Sequence, residues 1–328
     1  MLKLSTPVGL PLLLACVTFV AAGCGGPRYI RSAPEDLVGQ NVPAASVTRH
    51  VVLVSIDGLR PDAIAAFAAP TLQRLIREGS YTLAATTIDP SKTLPSHTSM
   101  LTGEPPERHQ VYWNTAASAE RDQIEMPNVF SVARANGYRT AAFFSKSKFQ
   151  PLQRPGTLDY SQAPGGWFGR WPGSRTVTDV ATHLRDNRPN LLFVHLTDPD
   201  AAGHRAGWMS DDYGRGVNAA DAALGRLIAL ADEAYGTGNY SLIVTADHGG
   251  QKRDHGSRDE ADVTIPWIAW GRGVKPGLLQ SVSVRTMDTA STVLWLLGLS
   301  EPTEWAGTPV TGAFDDALLA AAAPADRR

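Results

Sequence analysis

The stretch His50-Val51-Val52-Leu53-Val54-Ser55-Ile56-Asp57-Gly58 decides how this chain is read. Val51 to Ile56 is apolar except for Ser55 and rich in β-branched residues, so it reads as a strand buried on both faces. An aspartate and a glycine end it. In an open α/β sheet, side chains just past the carboxyl ends of strands converge on one crevice. Asp57 therefore stands where ligands bind, and Gly58 lets the backbone turn sharply there.

Strand-like and helix-like segments alternate outward from this point. Pro61-Asp62 opens a helix expected to run to about Glu78, with Gly79 as its stop. Strands are expected over 81–88, 139–145, 191–197, 241–246 and 263–270, and helices near Pro95 and over 128–136, 177–185, 211–235 and 288–297. The alternation predicts an α/β fold, a three-layer α/β/α sandwich with a mostly parallel central sheet. One domain is expected over 49–312, followed by an Ala-rich tail, 313–328.

The 328 residues, 43% hydrophobic, suffice for one large core. The formal net charge is −2 and no basic tract occurs, so general nucleic-acid binding is not expected. Leu10 to Ala22 is an apolar run short for a membrane span, followed by small residues and Cys24. This resembles a bacterial lipoprotein signal peptide, residues 1–24, with Ala21 where leucine is commonest. The resemblance implies lipidation at Cys24, export, and a membrane anchor facing the periplasm or cell surface. Residues 25–48, rich in Gly, Pro, Ala and Ser, read as a flexible tether. Cys16 lies in the removed segment, so no disulfide is expected, and core and metals must supply the stability. The sequence sets no oligomeric state.

The chemistry-bearing residues cluster after apolar runs. Asp198-Pro199-Asp200-Ala201-Ala202-Gly203-His204 spaces a carboxylate and an imidazole four residues apart in what reads as a Gly-bearing turn. Asp198 is the rival carboxylate, set apart by Pro199. Asp247 and His248 end a strand together, and His255 returns seven residues later. Three aspartates and three histidines on one sheet edge suit two transition-metal ions. Thr93 lies just before Pro95, at the start of an expected helix, where a helix N-terminus and a divalent cation would lower its hydroxyl pKa.

These motifs resemble the alkaline phosphatase superfamily: V-S-I-D-G-L-R from Val54, P-S-K-T-L-P-S-H from Pro90, T-G-E-P-P-E-R-H from Thr102, D-A-A-G-H from Asp200, and A-D-H-G-G from Ala246 with a following His255-Gly256. They are most similar to its type I phosphodiesterase/nucleotide pyrophosphatase branch, over about 50–310. The resemblance implies Thr93 as nucleophile. It implies one ion on Asp57, Thr93, Asp247 and His248, and another on Asp200, His204 and His255. Zinc suits these ligands best, and manganese or iron would fit the same set. Asn114 would stabilise phosphoryl oxygens. The implied activity is hydrolysis of phosphodiester or pyrophosphate bonds, with a small phosphodiester or nucleotide as substrate, through a phospho-Thr93 intermediate. The chain departs from the family pattern at Gln110 and at Trp208.

Specificity is expected in a long loop, Lys146 to Arg175, carrying Phe149, Tyr160, Trp167, Phe168 and Trp171. Trp167 and Trp171 are candidate substrate contacts if the loop is a lid; its aromatics otherwise cover the core. Lys92 is a further candidate for the substrate phosphate. Competing readings are a phosphomonoesterase or phosphonate-ester hydrolase, a sulfatase, and a non-catalytic metal-binding lipoprotein. The sulfatase reading ranks below the first because neither cysteine lies in a C-x-P-S-R context.

Overall fold

The computed structural model describes residues 28–31, 46–115, 124–166, 169–280 and 282–315. In chain order its elements are β1 (Arg28–Arg31), β2 (Val51–Ile56), α1 (Pro61–Ala66), α2 (Pro70–Glu78), β3 (Ser80–Thr86), α3 (Thr93–Thr102), α4 (Pro106–His109) and α5 (Val129–Ala135). There follow β4 (Thr140–Phe143), β5 (Tyr160–Ala163), α6 (Gly173–Asp186), β6 (Leu191–Leu196), α7 (Asp198–Ala206) and α8 (Asp211–Tyr235). The series closes with β7 (Ser241–Thr245), α9 (Glu260–Val263), β8 (Thr264–Gly271), β9 (Gly277–Leu278) and α10 (Asp288–Leu296). The expected signal peptide with Cys24, most of the tether, Trp167, Phe168 and the tail beyond 315 lie outside the described residues.

The strands form one sheet in the order β1-β5-β4-β6-β2-β7-β8-β3-β9. Only β1 and β8 run against the others, so the sheet is mostly parallel. Every residue of β2, β6 and β7 is buried, as central strands covered on both faces require. Helices α1, α2, α6, α7 and α8 pack together on one face, and α3, α4, α5 and α10 on the other. The three layers are those expected from the alternation.

Register places the site. Ile56 pairs with Leu196 and Ser55 with Thr245. One or two residues further, Asp57, the start of α7 and Asp247 therefore emerge at one level of one edge.

Three details differ from the sequence expectation. The helix over 61–78 is two helices, broken at residues 67–69, where Ala68 has φ 51°. Pro70 disfavours α geometry at Ala69 and has no N–H to continue the first helix. The new N-terminus is satisfied by Asp221, whose carboxylate accepts from the Thr71 and Leu72 amides at 3.0 and 2.8 Å. Second, residues 28–31, read as tether, add an edge strand antiparallel to β5. Third, the segment 146–175 is not one long loop. It holds a 3-10 helix over Ser147–Leu152, strand β5 and the start of α6. Phe149 is fully buried and stacks on Phe144 at 5.0 Å, and Tyr160 stacks on His183 at 4.1 Å. Phe149 therefore belongs to the core, while the half-buried Tyr160 packs on α6.

Candidate metal centre

Asp57 follows β2, Asp247 and His248 follow β7, and His255 lies on the loop beyond. Asp200 and His204 are on helix α7, not in the turn expected from Gly203. Pro199 suits that helix start, and the four-residue spacing puts both side chains on one face. Gly58, at φ 71°, permits the close approach, because a Cβ there would lie 3.0 Å from the Asp200 Cα. Its amide donates to Asp247 Oδ1 at 3.1 Å, and the Asp200 amide donates to the Asp57 carbonyl at 3.0 Å.

The three histidines are oriented alike. In each, Nδ1 meets a backbone carbonyl, which fixes the proton on that nitrogen. His248 bonds Gly249 O at 2.8 Å, His255 bonds Ser91 O at 2.8 Å and His204 bonds Arg253 O at 3.0 Å. Each Nε2 lone pair is thereby turned inward. His248 Nε2 lies 3.4 Å from Asp57 Oδ1 and 3.3 Å from Asp247 Oδ2. His204 and His255 Nε2 lie 3.2 and 3.7 Å from Asp200 Oδ1. Burial, then its neighbour His255, brings His248 down to about 3, and burial also lowers His255. Both imidazoles are therefore neutral at physiological pH. His204, whose side chain is 41% exposed, is raised by the Asp200 carboxylate beside its Nε2.

The carboxylates are divided front from back. Lys146 Nζ donates to the Oδ2 atoms of Asp57 and Asp200, at 2.6 Å each, and His195 Nε2 bonds Asp57 Oδ2 at 2.9 Å. Facing the histidines, Asp57 Oδ1, Asp200 Oδ1 and Asp247 Oδ2 are buried with no hydrogen-bond partner among the described residues. Burial opposes ionisation of Asp57, but Lys146 and His195 outweigh it and hold its carboxyl well below the usual range. Asp200 is likewise held low, against burial and the Asp57 charge, by Lys146 and His204. Burial and then the Asp57 charge push Asp247 well above the usual range. Burial lowers Lys146, but the Asp200 and Asp57 carboxylates outweigh it and raise the ammonium.

Buried carboxylate oxygens without partners are costly unless a cation meets them. Two sets of donor atoms lie within 4.8 Å of one another: Asp57, Asp247 and His248, and Asp200, His248 and His255. His248 belongs to both, and His204 reaches the second from the solvent side. Oxygen and imidazole donors in this arrangement fit divalent transition-metal ions.

Thr93 is the first residue of α3 and fully buried, with Oγ 3.3 Å from His248 Nε2. Behind it, His97 bonds the Thr93 carbonyl at 2.7 Å and Ser55 Oγ at 2.8 Å, fixing the helix start to β2. Asn114 Oδ1 accepts from the Leu94 amide at 2.9 Å and from Lys148 Nζ at 3.2 Å. Burial, then Lys146, brings Lys148 down to about 8. Lys92 is half-buried, its stem against Gly256, with no side-chain hydrogen bond or ion pair among the described residues. Trp171 lies under the Arg175 guanidinium at 5.4 Å, its amide donating to Ser145 O at 2.9 Å.

The structure thus gathers Asp57, Thr93, Asn114, Asp200, His204, Asp247, His248 and His255. The sequence expectation lacks Lys146, Lys148, His195 and the role of Trp208. Trp208 is buried, donates from Nε1 to Gly58 O at 2.9 Å, and packs edge-on against His204 at 5.1 Å. It backs His204 and His255. Lys146 follows β4 as Asp57 follows β2, so the strand-end rule extends to it.

Fold and site define a three-layer α/β/α protein of alkaline phosphatase-like architecture, with a carboxylate–imidazole cluster beside a helix-initiating threonine. Residues 51–263 match the family model for type I phosphodiesterase / nucleotide pyrophosphatase, and the chain belongs to that family. It is 27% identical over 235 residues to bis(5'-adenosyl)-triphosphatase enpp4 of Xenopus laevis, covering 63% of this chain and 48% of that protein. The chain spans half the length or less of the first curated relatives it matches. Among solved structures it resembles murine ectonucleotide pyrophosphatase/phosphodiesterase 5, inactive and in complex with AMP, with TM-score 0.68 and 16% identity over 81% of this chain and 100% of that one. A 2-O GAG sulfatase shares the fold at TM-score 0.67 and 14% identity, covering 81% of this chain and 74% of that one.

Proposed function

We propose that the protein is a metal-dependent hydrolase of phosphodiester or pyrophosphate bonds that works through phospho-Thr93. The carrying observation is the convergence of three buried, unpartnered carboxylate oxygens and three inward-turned Nε2 atoms beside Thr93. Asp57, Thr93, Asp247 and His248 would hold one ion and Asp200, His204 and His255 the other, with zinc best suited. When bound, the ions lower the pKa of the Thr93 hydroxyl and neutralise phosphoryl charge. Thr93 Oγ attacks phosphorus and the alcohol or phosphate leaves in line; water then cleaves the phospho-Thr93 ester. Asn114 has its Oδ1 committed to Leu94 and Lys148, which leaves Nδ2 to donate to a phosphoryl oxygen.

Membership of the family and the AMP bound to its murine relative support a nucleotide as substrate. Threonine at the nucleophile position favours phosphoryl over sulfuryl transfer. Export and a lipid anchor at Cys24 complete the proposal and rest on the N-terminal sequence alone.

The test is turnover of bis(p-nitrophenyl) phosphate by the zinc-loaded chain. Thr93→Ala should lose at least about a thousandfold in kcat, and acid-quenched wild type should carry a p-nitrophenylphosphoryl group on Thr93 by mass spectrometry. Comparable turnover in the variant would reject Thr93 as nucleophile.

A further inference from the structure

The sheet carries arginines along the edge opposite the metal centre. Arg49 precedes β2, Arg139 precedes β4, Arg188 precedes β6, and Arg272 follows the antiparallel β8. Thr140 pairs with Leu191, Leu191 with Val51, Val51 with Ser241 and Ser241 with Gly271, so the four side chains leave one row of the sheet. The length of β2, about 20 Å, separates that row from Asp57. All four arginines are exposed and, among the described residues, none forms an ion pair.

Arg49 and Arg272 line a cavity of about 390 Å³ with His50, Tyr235 and Asn239, and no carboxylate is part of its wall. Its backbone acceptors are already taken. Val47 O accepts from Arg272 Nε at 3.0 Å, Arg49 O from Asn190 Nδ2 at 2.9 Å and His50 O from the Ser241 amide at 3.0 Å. The Arg49 guanidinium and the Nη groups of Arg272 make no hydrogen bond among the described residues. The Tyr235 hydroxyl, buried without a partner among those residues, is a further unmet donor. Helix α8 ends at Tyr235 and brings about half a negative charge. That is small beside two arginines in the wall, with Arg139 and Arg188 also acting on His50.

We propose that this cavity is a second ligand site, separate from the metal centre, in which Arg49 and Arg272 hold the phosphate group of a small phosphorylated molecule. Guanidinium forks match phosphate oxygens in pairs, and a cleft lined by one sign of charge concentrates the opposite ion. The volume falls within the roughly 300–1,000 Å³ of small-molecule sites, so an organic portion fits beside the phosphate. His50 and Tyr235, stacked at 4.3 Å, give that portion an aromatic wall. A concave site of this size suits a free molecule, whereas a membrane presents a broad surface. Nothing here rests on Thr93 as nucleophile.

The experiment titrates inorganic phosphate calorimetrically into zinc-loaded wild type, an Arg49→Met/Arg272→Met chain and an Arg49→Lys/Arg272→Lys chain, with amide hydrogen exchange followed at saturation. Wild type should bind phosphate at the arginine edge as well as at the metal centre, and exchange should slow over residues 46–50 and 235–240. The methionine chain should lose at least about tenfold in affinity at the edge site, together with that protection, while diester turnover and melting temperature stay as in wild type. The lysine chain should fall between, since it keeps the charge without the fork. No phosphate-dependent protection of these segments in wild type, or equal protection in the methionine chain, would overturn the proposal. So would an edge site that appears only in a Glu35→Gln/Asp36→Asn chain, which would mean that the protein's own carboxylates meet the arginines. Arginine-dependent sedimentation with phosphatidylglycerol vesicles, without protection by free phosphate, would assign the edge to a membrane and overturn it as well.

Discussion

The two ends of the same strands are built in opposite ways. At the amino ends lies a cavity of about 390 Å³ lined by Arg49, His50, Tyr235, Asn239 and Arg272, among others. At the carboxyl ends the space is filled with charge. Both ends hold histidines with Nδ1 on a carbonyl: His50 bonds Pro189 O at 3.0 Å, as His248 bonds Gly249 O. The difference is what the rest of the ring meets. His50 stacks on Tyr235 at 4.3 Å, with Arg139, Arg49 and Arg188 as its charged neighbours. His248 Nε2 faces two aspartates and Thr93. Parallel strands deliver helix N-termini, here α3 and α7, to their carboxyl ends, while α8 ends at the other. Concentrated, unpartnered ligand atoms therefore mark the site.

Removal of metal breaks this comparison most directly. Chelation should abolish turnover. It should also lower the unfolding temperature by about 5–10 °C, from about 2.7 kcal/mol of lost binding at a hundredfold excess over Kd. Zinc should restore both. An Asp57→Asn chain should show a much smaller shift with chelator, since its site is already impaired. A wild-type melting curve that ignores chelation would leave the carboxyl-end cluster no more a metal site than the cavity at the other end.

How far such a centre can be read from sequence depends on distance along the chain. Asp57, Asp247 and His248 were legible because each ends an apolar run, and Thr93 because Pro95 announces a helix. Asp200 and His204 were legible as ligands but not as helical, since Gly203 argues for a turn. Only the structure shows that a Cβ at that glycine would meet the Trp208 indole at 2.6 Å. His195 lies inside a fully buried strand, and nothing local says that it reaches Asp57. That follows from the pairing of β6 with β2, which sets Ser55 opposite His195. Strand β1 is hidden for the same reason, its partner β5 lying more than a hundred residues away. In 146–175 the aromatics suggest a lid and draw attention from Lys146, whose partners are likewise remote.

Lys146 sharpens the contrast at an intermediate scale. Lys146→Met takes away the cation behind Asp57 and Asp200. In metal-free protein this should cost about 3–5 kcal/mol of unfolding free energy, the usual penalty for stranding one side of a buried ion pair. In zinc-loaded protein the cost should be smaller, because the ions meet the same carboxylates from the front. Denaturant titrations with and without chelator give the difference. Equal losses in both states would mean that Lys146 acts by packing alone and that the two faces of the carboxylates are independent.

The amino end predicts the smallest change. Tyr235 keeps its ring against His50, but its hydroxyl is buried without a hydrogen-bond partner among the described residues. Tyr235→Phe removes that hydroxyl and retains the stack, so the lost group takes its desolvation cost with it. Unfolding free energy should move by less than about 0.5 kcal/mol, in either direction, and diester turnover should stay within error of wild type. The corresponding excision at the other end, where unpartnered atoms are carboxylates aimed at one point, destroys the centre. A large loss from Tyr235→Phe would show that the hydroxyl is held by a partner in solution, and that the amino-end cavity is organised around it.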